Sequence, residues 1–124
     1  MKVKKQKKGP FTILVNETDN ILLTVTIGNA QIGGNIVLLE DTQLFKGEVK
    51  NGNLGIGGDL VGKKLTVTTN VLDVNPDSNK VSITHFFYNG QPPVFSYPAV
   101  GEEMEVDNDG DIYSLTATYV FNKK

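Results

Sequence analysis

The sequence predicts an all-β fold, a single antiparallel β-sandwich of Greek-key or jelly-roll type with about eight strands. Three features carry that expectation. Apolar and polar residues alternate at period two in segment after segment. These segments are rich in valine, isoleucine and threonine, which favour a pleated, half-buried surface. Turn signals separate them at intervals of roughly 8–12 residues, and no window keeps a helical period over three turns. At 124 residues one domain is expected, long enough to bury a core.

Residues 1–10, MKVKKQKKGP, read as a flexible lysine-rich tail, and residues 11–124 as the sandwich. Phe11, Ile13 and Val15 alternate on one face of the first segment. Ile21, Leu23, Val25 and Ile27 do so in the next, with Leu22, Thr24 and Thr26 opposite, and Gly28-Asn29 breaks it. A short apolar run over 36–40 and a segment over 44–50 follow. Asn51-Gly52 is a two-residue hairpin signal, because the favoured turn needs positive φ at both central positions. Leu65, Val67, Thr69 and Val71 alternate with Thr66, Thr68, Asn70 and Leu72. Asn75-Pro76-Asp77-Ser78-Asn79 is a turn, and Lys80–Tyr88 is a strand closed by Asn89-Gly90. A short strand is expected near 103–106, and a long one over 112–121 carries Tyr113, Leu115, Ala117, Tyr119 and Phe121 on one face. Residues 32–37 (IGGNIV) echo 56–61 (IGGDLV), which points to two places where paired glycines permit a bulge or sheet corner.

Composition excludes several kinds of chemistry. The chain has no cysteine, tryptophan or arginine, one histidine (His85), and 12 basic residues, all lysine. Disulfides, thiolate metal sites and cysteine nucleophiles are thereby excluded, as is bidentate guanidinium recognition of phosphate or guanine. The apolar stretch after the basic start, Phe11–Val15, is shorter than the roughly 7–15 residues of a secretory core. No run approaches a membrane span. The expectation is a soluble chain, not membrane-spanning, of unspecified compartment.

The net charge of −2 is unevenly distributed. Lys2, Lys4, Lys5, Lys7 and Lys8 belong to the tail, which leaves an acidic body. Such a tail could touch nucleic acid or an anionic membrane, yet a solvated terminus is the plainer reading. Without arginine or a second basic patch, nucleic acid is an unlikely partner.

Two groups of residues could carry a function. The first is the aromatic stretch containing Phe86, Tyr88, Phe95 and Tyr97 around Pro92-Pro93, which reads either as a cap that folds back over the core or as a contact surface for a protein or a second copy, with carbohydrate as a further ligand class. Phe86 and Phe87 must point to opposite sheet faces. The second is Glu105, Asp107, Asp109 and Asp111 around Gly110, where closely spaced oxygens resemble a calcium loop. It departs from the helix–loop–helix calcium motif in its first ligand, in a threonine (Thr116) at the bidentate glutamate position, and in its strand-like flanks. A plain solvated hairpin is the preferred reading, since Asn108, Asp109 and Gly110 all tolerate left-handed φ.

His85 shares parity with Val81, Ile83 and Phe87, which suits a core histidine better than a catalyst. Asn16-Glu17-Thr18 matches a glycosylation acceptor but reads simply as a turn. The expected function is therefore a non-enzymatic binding or structural module acting through surface contacts, without a cofactor. The alternatives are a calcium-dependent binding domain and a small carboxylate hydrolase, which needs two acids facing one pocket.

Overall fold

A computed structural model describes residues 2–28, 31–89, 93–97, 104–108 and 110–124. These residues form strands β1 (Val3–Val15), β2 (Asn20–Gly28), β3 (Ile32–Leu39), β4 (Thr42–Gly47) and β5 (Gly52–Ile56), then a helical turn α1 (Gly57–Leu60). Strands β6 (Lys64–Leu72), β7 (Lys80–Tyr88), β8 (Pro93–Tyr97), β9 (Met104–Glu105) and β10 (Ile112–Lys123) follow. One sheet, here sheet A, has the order β1-β10-β6-β3-β4. The other, sheet B, has the order β5-β2-β7-β8, and β9 pairs with the start of β7. The fold is the all-β sandwich that the alternation predicts.

The inward rows are the apolar parities read from the sequence. Leu65, Val67 and Val71 of β6 and Leu115, Ala117, Tyr119 and Phe121 of β10 meet Ile21 and Leu23 of β2 and Val81, Ile83 and Phe87 of β7. Fully burying side chains of this size contributes roughly 1.5–3 kcal/mol each, so these rows dominate the stability of the sandwich.

Four expectations need correction. The lysine-rich segment is a strand, not a flexible tail: β1 begins at Val3 and pairs with β10 from Val3↔Ile112 to Val15↔Lys123. The pairing is parallel, so the sandwich is not wholly antiparallel. From Val3 to Pro10 no β1 side chain is buried; Ile13 and Val15 are buried in the core, and half-buried Phe11 packs against it. Backbone bonding to β10 therefore holds the first half, and lysines along this edge strand oppose pairing with another chain.

Asn51-Gly52 does not close a hairpin. Asn51 adopts the positive φ that its type permits, 52°, but β4 pairs with β3 and β5 pairs with β2. The segment carries the chain from sheet A to sheet B. It is fixed there by buried Val49, whose carbonyl accepts the Val25 N–H at 3.0 Å, and by the Asn51 N–H donating to Thr24 Oγ1 at 2.9 Å. The hairpin in this region instead joins β3 to β4 through Glu40, which has φ 53°.

The two paired-glycine sites are not bulges. Gly33 lies within β3, where a Cβ would run into the Asn70 carbonyl of β6. Gly57 opens α1, where a Cβ would run into the Asn16 carbonyl. That close approach lets the Gly57 and Gly58 N–H groups donate to the Asp19 and Glu17 carbonyls at 2.7 and 2.9 Å, clamping the β1–β2 turn. Both places need a missing side chain, but for close backbone approach rather than for a bulge.

Candidate functional site

The aromatic stretch divides between the two faces of sheet B. Register places Phe87 opposite Phe95, and His85 opposite Tyr97, on the inward face. Phe95 and Tyr97 are half-buried and pack against the core. The Phe11 ring lies 4.5 Å from Tyr97 and 6.3 Å from Phe95, and Phe95 meets Tyr119 edge-on at 6.0 Å. These two residues seal the β1 side of the sandwich and do not join Phe86 and Tyr88 in one surface.

Phe86 and Tyr88 point outward. Both are half-buried, and their rings stack at 6.1 Å with 30° between planes. The register sets Leu22 beside Tyr88, Thr24 beside Phe86 and Thr26 beside Thr84. Ser96 of β8 lies on the other side of Phe86. Around the two rings the face is therefore apolar and hydroxyl-bearing, with no charged side chain between Leu22 and Thr26 or between Ser82 and Tyr88; Asn53 of β5 stands beside Leu22, and Lys80 opposite Glu105 marks the far end of β7. The sequence reading missed Leu22 and Thr24 as members of the surface. An apolar Leu22 on an otherwise polar parity was the available signal.

The acidic segment is arranged around Asp111. Its carboxylate is buried and accepts the Lys2 N–H at Oδ1, 2.9 Å, and the Asn108 N–H at Oδ2, 3.1 Å. Its backbone carbonyl accepts the Asp73 N–H at 3.0 Å, and the Gly110 N–H returns to the Asp73 carbonyl at 2.9 Å. Asp111 thus ties the start of β1 to the turn before β10. Glu105 and Asp107 are exposed, and Asp109 lies outside the described residues. Among the described residues, no three acidic or histidine side chains are grouped to hold an ion.

The lone histidine lies within a buried polar chain that links the two sheets. His85 of β7 reaches across the interior, with Nδ1 2.7 Å from the Tyr119 hydroxyl of β10 and Nε2 2.9 Å from Thr69 Oγ1 of β6. Thr69 Oγ1 also bonds Asn35 Oδ1 of β3 at 2.7 Å, and Asn35 Nδ2 donates to the Gly47 carbonyl at 2.9 Å. Proton positions follow by elimination. The Gly47 carbonyl can only accept, so the Asn35 nitrogen faces it and its oxygen faces Thr69. The Thr69 proton is then committed to Asn35. His85 Nε2 must donate to Thr69, and His85 Nδ1 must accept from Tyr119. The four bonds of the row therefore all run in one direction.

Burial lowers the His85 imidazole to about 3, so it is neutral across the physiological range. Burial, and secondarily the Tyr97 phenol, raises the Tyr119 hydroxyl above its usual range. A histidine with both nitrogens occupied inside the core is a structural link, in keeping with its apolar parity.

Surface depressions among the described residues are shallow and mixed. One of about 410 Å³ is lined by Thr12, Leu14, Asn16, Asn89, Phe95 and Lys124. One of about 280 Å³ has Glu48 as its one acid. One of about 520 Å³ at the Pro76–Asn79 turn has only Asp77. None of these described depressions brings two carboxylates together. No helix among the described residues is long and apolar enough to cross a membrane. Compared with models of protein families, with curated proteins and with solved structures, the chain matches none.

Proposed function

We propose that this chain is a non-enzymatic structural module that associates with a second copy of itself through the outer face of sheet B. The stacked pair Phe86 and Tyr88, set in an uncharged field with Leu22, Thr24 and Ser96, carries this reading. Charged groups resist burial unless they are paired. The patch around these rings lacks them, so it can meet its own copy and bury aromatic and aliphatic area without that cost, with Lys80 and Glu105 left at its edge. Two such faces pack in the way that sheets do inside a sandwich, at about 10 Å. A two-fold axis would set the same residues against each other from both sides.

Sedimentation velocity over a wide concentration range tests this. Association should appear as a concentration-dependent rise in sedimentation coefficient. The double substitution Phe86→Ser with Tyr88→Ser should weaken it at least tenfold while the folded far-ultraviolet spectrum is kept. A native protein that stays monomeric at millimolar concentration ends the proposal.

A further inference from the structure

The outer face of sheet A has an order that the linear sequence hides. Its rows can be read across the strands from the pairing register. Val3, Ile112, Leu72 and Ile32 form one row across β1, β10, β6 and β3. The next row with the same orientation is Lys5, Ser114, Asn70 and Gly34, and the one after is Lys7, Thr116, Thr68, Ile36 and Lys46. Lys64 stands farther along, beside Val120. The face is thus an aliphatic row followed by a hydroxyl and amide field flanked by lysines. Thr68 and Thr116 bond each other across it at 3.1 Å.

Lys5, Lys7, Lys46 and Lys64 are all exposed, and none makes an ion pair with another described residue. The described residues of these rows include no acid. Glu40 stands at the far corner, where its carboxylate accepts the Lys64 N–H at 3.4 Å. On a chain of net charge −2, this concentrates positive charge on one flat face, with lysines on β1 and β4 separated by four strand spacings, roughly 19 Å. Topology makes the patch. Two of its lysines lie in the N-terminal segment, and two come from strands 40 to 60 positions later.

We infer that this face lies against an anionic lipid surface. Three features favour lipid over nucleic acid. The apolar groups are aliphatic, with Ile32 58% exposed, Val3 50% and Ile36 37%, so they suit the headgroup boundary. Nucleic-acid faces draw on aromatic platforms for stacking, and none stands in these rows. Arginine, which grips phosphates and guanine bidentately, is absent from the chain. Lysines as point charges still serve well beside an anionic membrane, where each strengthens partition by about fivefold. The inference does not rest on self-association, which uses the opposite sheet.

Co-sedimentation with vesicles tests it. The full chain is mixed with phosphatidylcholine vesicles, or with vesicles of phosphatidylcholine and phosphatidylserine at 70:30, at low and high salt. Binding to the serine-containing vesicles at 50 mM NaCl, its release at 500 mM, and none to phosphatidylcholine alone is the expected pattern. Lys5→Gln with Lys7→Gln should weaken binding by about 25-fold, two steps of about fivefold. Lys46→Gln with Lys64→Gln should do the same from other strands, so local fraying of β1 cannot explain both. Lys123→Gln, which removes a residue paired with Glu17 at 2.8 Å, should leave binding unchanged. Failure to bind at low salt, equal loss with Lys123→Gln, or tighter binding to a duplex or single-stranded oligonucleotide than to the vesicles would overturn the assignment.

Discussion

His85 on sheet B and Tyr119 on sheet A are joined by a 2.7 Å hydrogen bond through the middle of the core. Because the row ends on a carbonyl that can only accept, the bond has a fixed direction, from the tyrosine hydroxyl to Nδ1. Removing a link leaves its neighbours buried and unpaired. Tyr119→Phe should cost about 1–3 kcal/mol, the penalty of an orphaned Nδ1 acceptor. Thr69→Val should cost more, because it orphans both His85 Nε2–H and the Asn35 oxygen. The double variant should cost less than the sum of the two. Urea unfolding of the four proteins measures this, and strict additivity would refute a connected row.

The same histidine sets an acid limit. Its folded value, about 3, lies below the unfolded value of 6.5, so below 6.5 the unfolded chain takes up a proton that the folded chain refuses. The stability associated with neutral His85 is fully present above 6.5. It is lost as pH falls from there toward 3, at up to about 1.4 kcal/mol per pH unit. Unfolding free energies of His85→Gln and the native chain should therefore converge on acidification. Parallel curves between pH 7 and 4 would show that His85 does not titrate this way.

Neighbouring glycines in β3 should behave oppositely. A Cβ on Gly33 meets the Asn70 carbonyl, whereas on Gly34 the nearest heavy atom is the Gly47 Cα at 3.7 Å, an ordinary contact. Gly33→Ala should destabilise by several kcal/mol, since backbone on two strands must move. Gly34→Ala should stay within about 0.5 kcal/mol of the native chain. Thermal melts of the pair decide it, and equal melting temperatures would mean that the β3–β6 contact is looser than described.

Asp111 should matter for folding without any ion. Asp111→Ala removes the acceptor for two backbone N–H groups, from Lys2 and Asn108, and should cost about 1–3 kcal/mol in a chelator-containing buffer. Its largest effect in hydrogen exchange should fall on Lys2–Gln6 and on the 106–111 turn. A loss of stability seen only when calcium is present would instead support the calcium-loop reading.

Particular residues show how much of this could be read in advance. Rows such as Leu65, Val67 and Val71 revealed the sandwich because burial on one face imposes period two. The first half of β1 gave no such sign. Its lysines, glutamine, glycine and proline lie on an edge strand that buries nothing there, so only backbone pairing defines it. Asn51 specified its own φ, but which strands it joins depends on pairings with β2 and β3, well away in the chain. Thr69 and His85 each stood on an apolar parity, a legible clue that polar groups enter the core, but their meeting required the two sheets to be superposed. Phe86 and Phe95 looked alike in sequence. They differ because Phe95 takes the register partner of buried Phe87, and Phe86 that of Ser96.

That split makes the central claim testable at the level of single residues. Backbone amide chemical shifts should be followed as the protein is diluted from millimolar to micromolar concentration. Self-association through sheet B predicts shifts confined to residues 22–26, 82–88 and Ser96, absent from the Phe86→Ser/Tyr88→Ser variant, with 64–72 and 112–120 unmoved. Shifts centred on sheet A, or no concentration dependence at all, would contradict it.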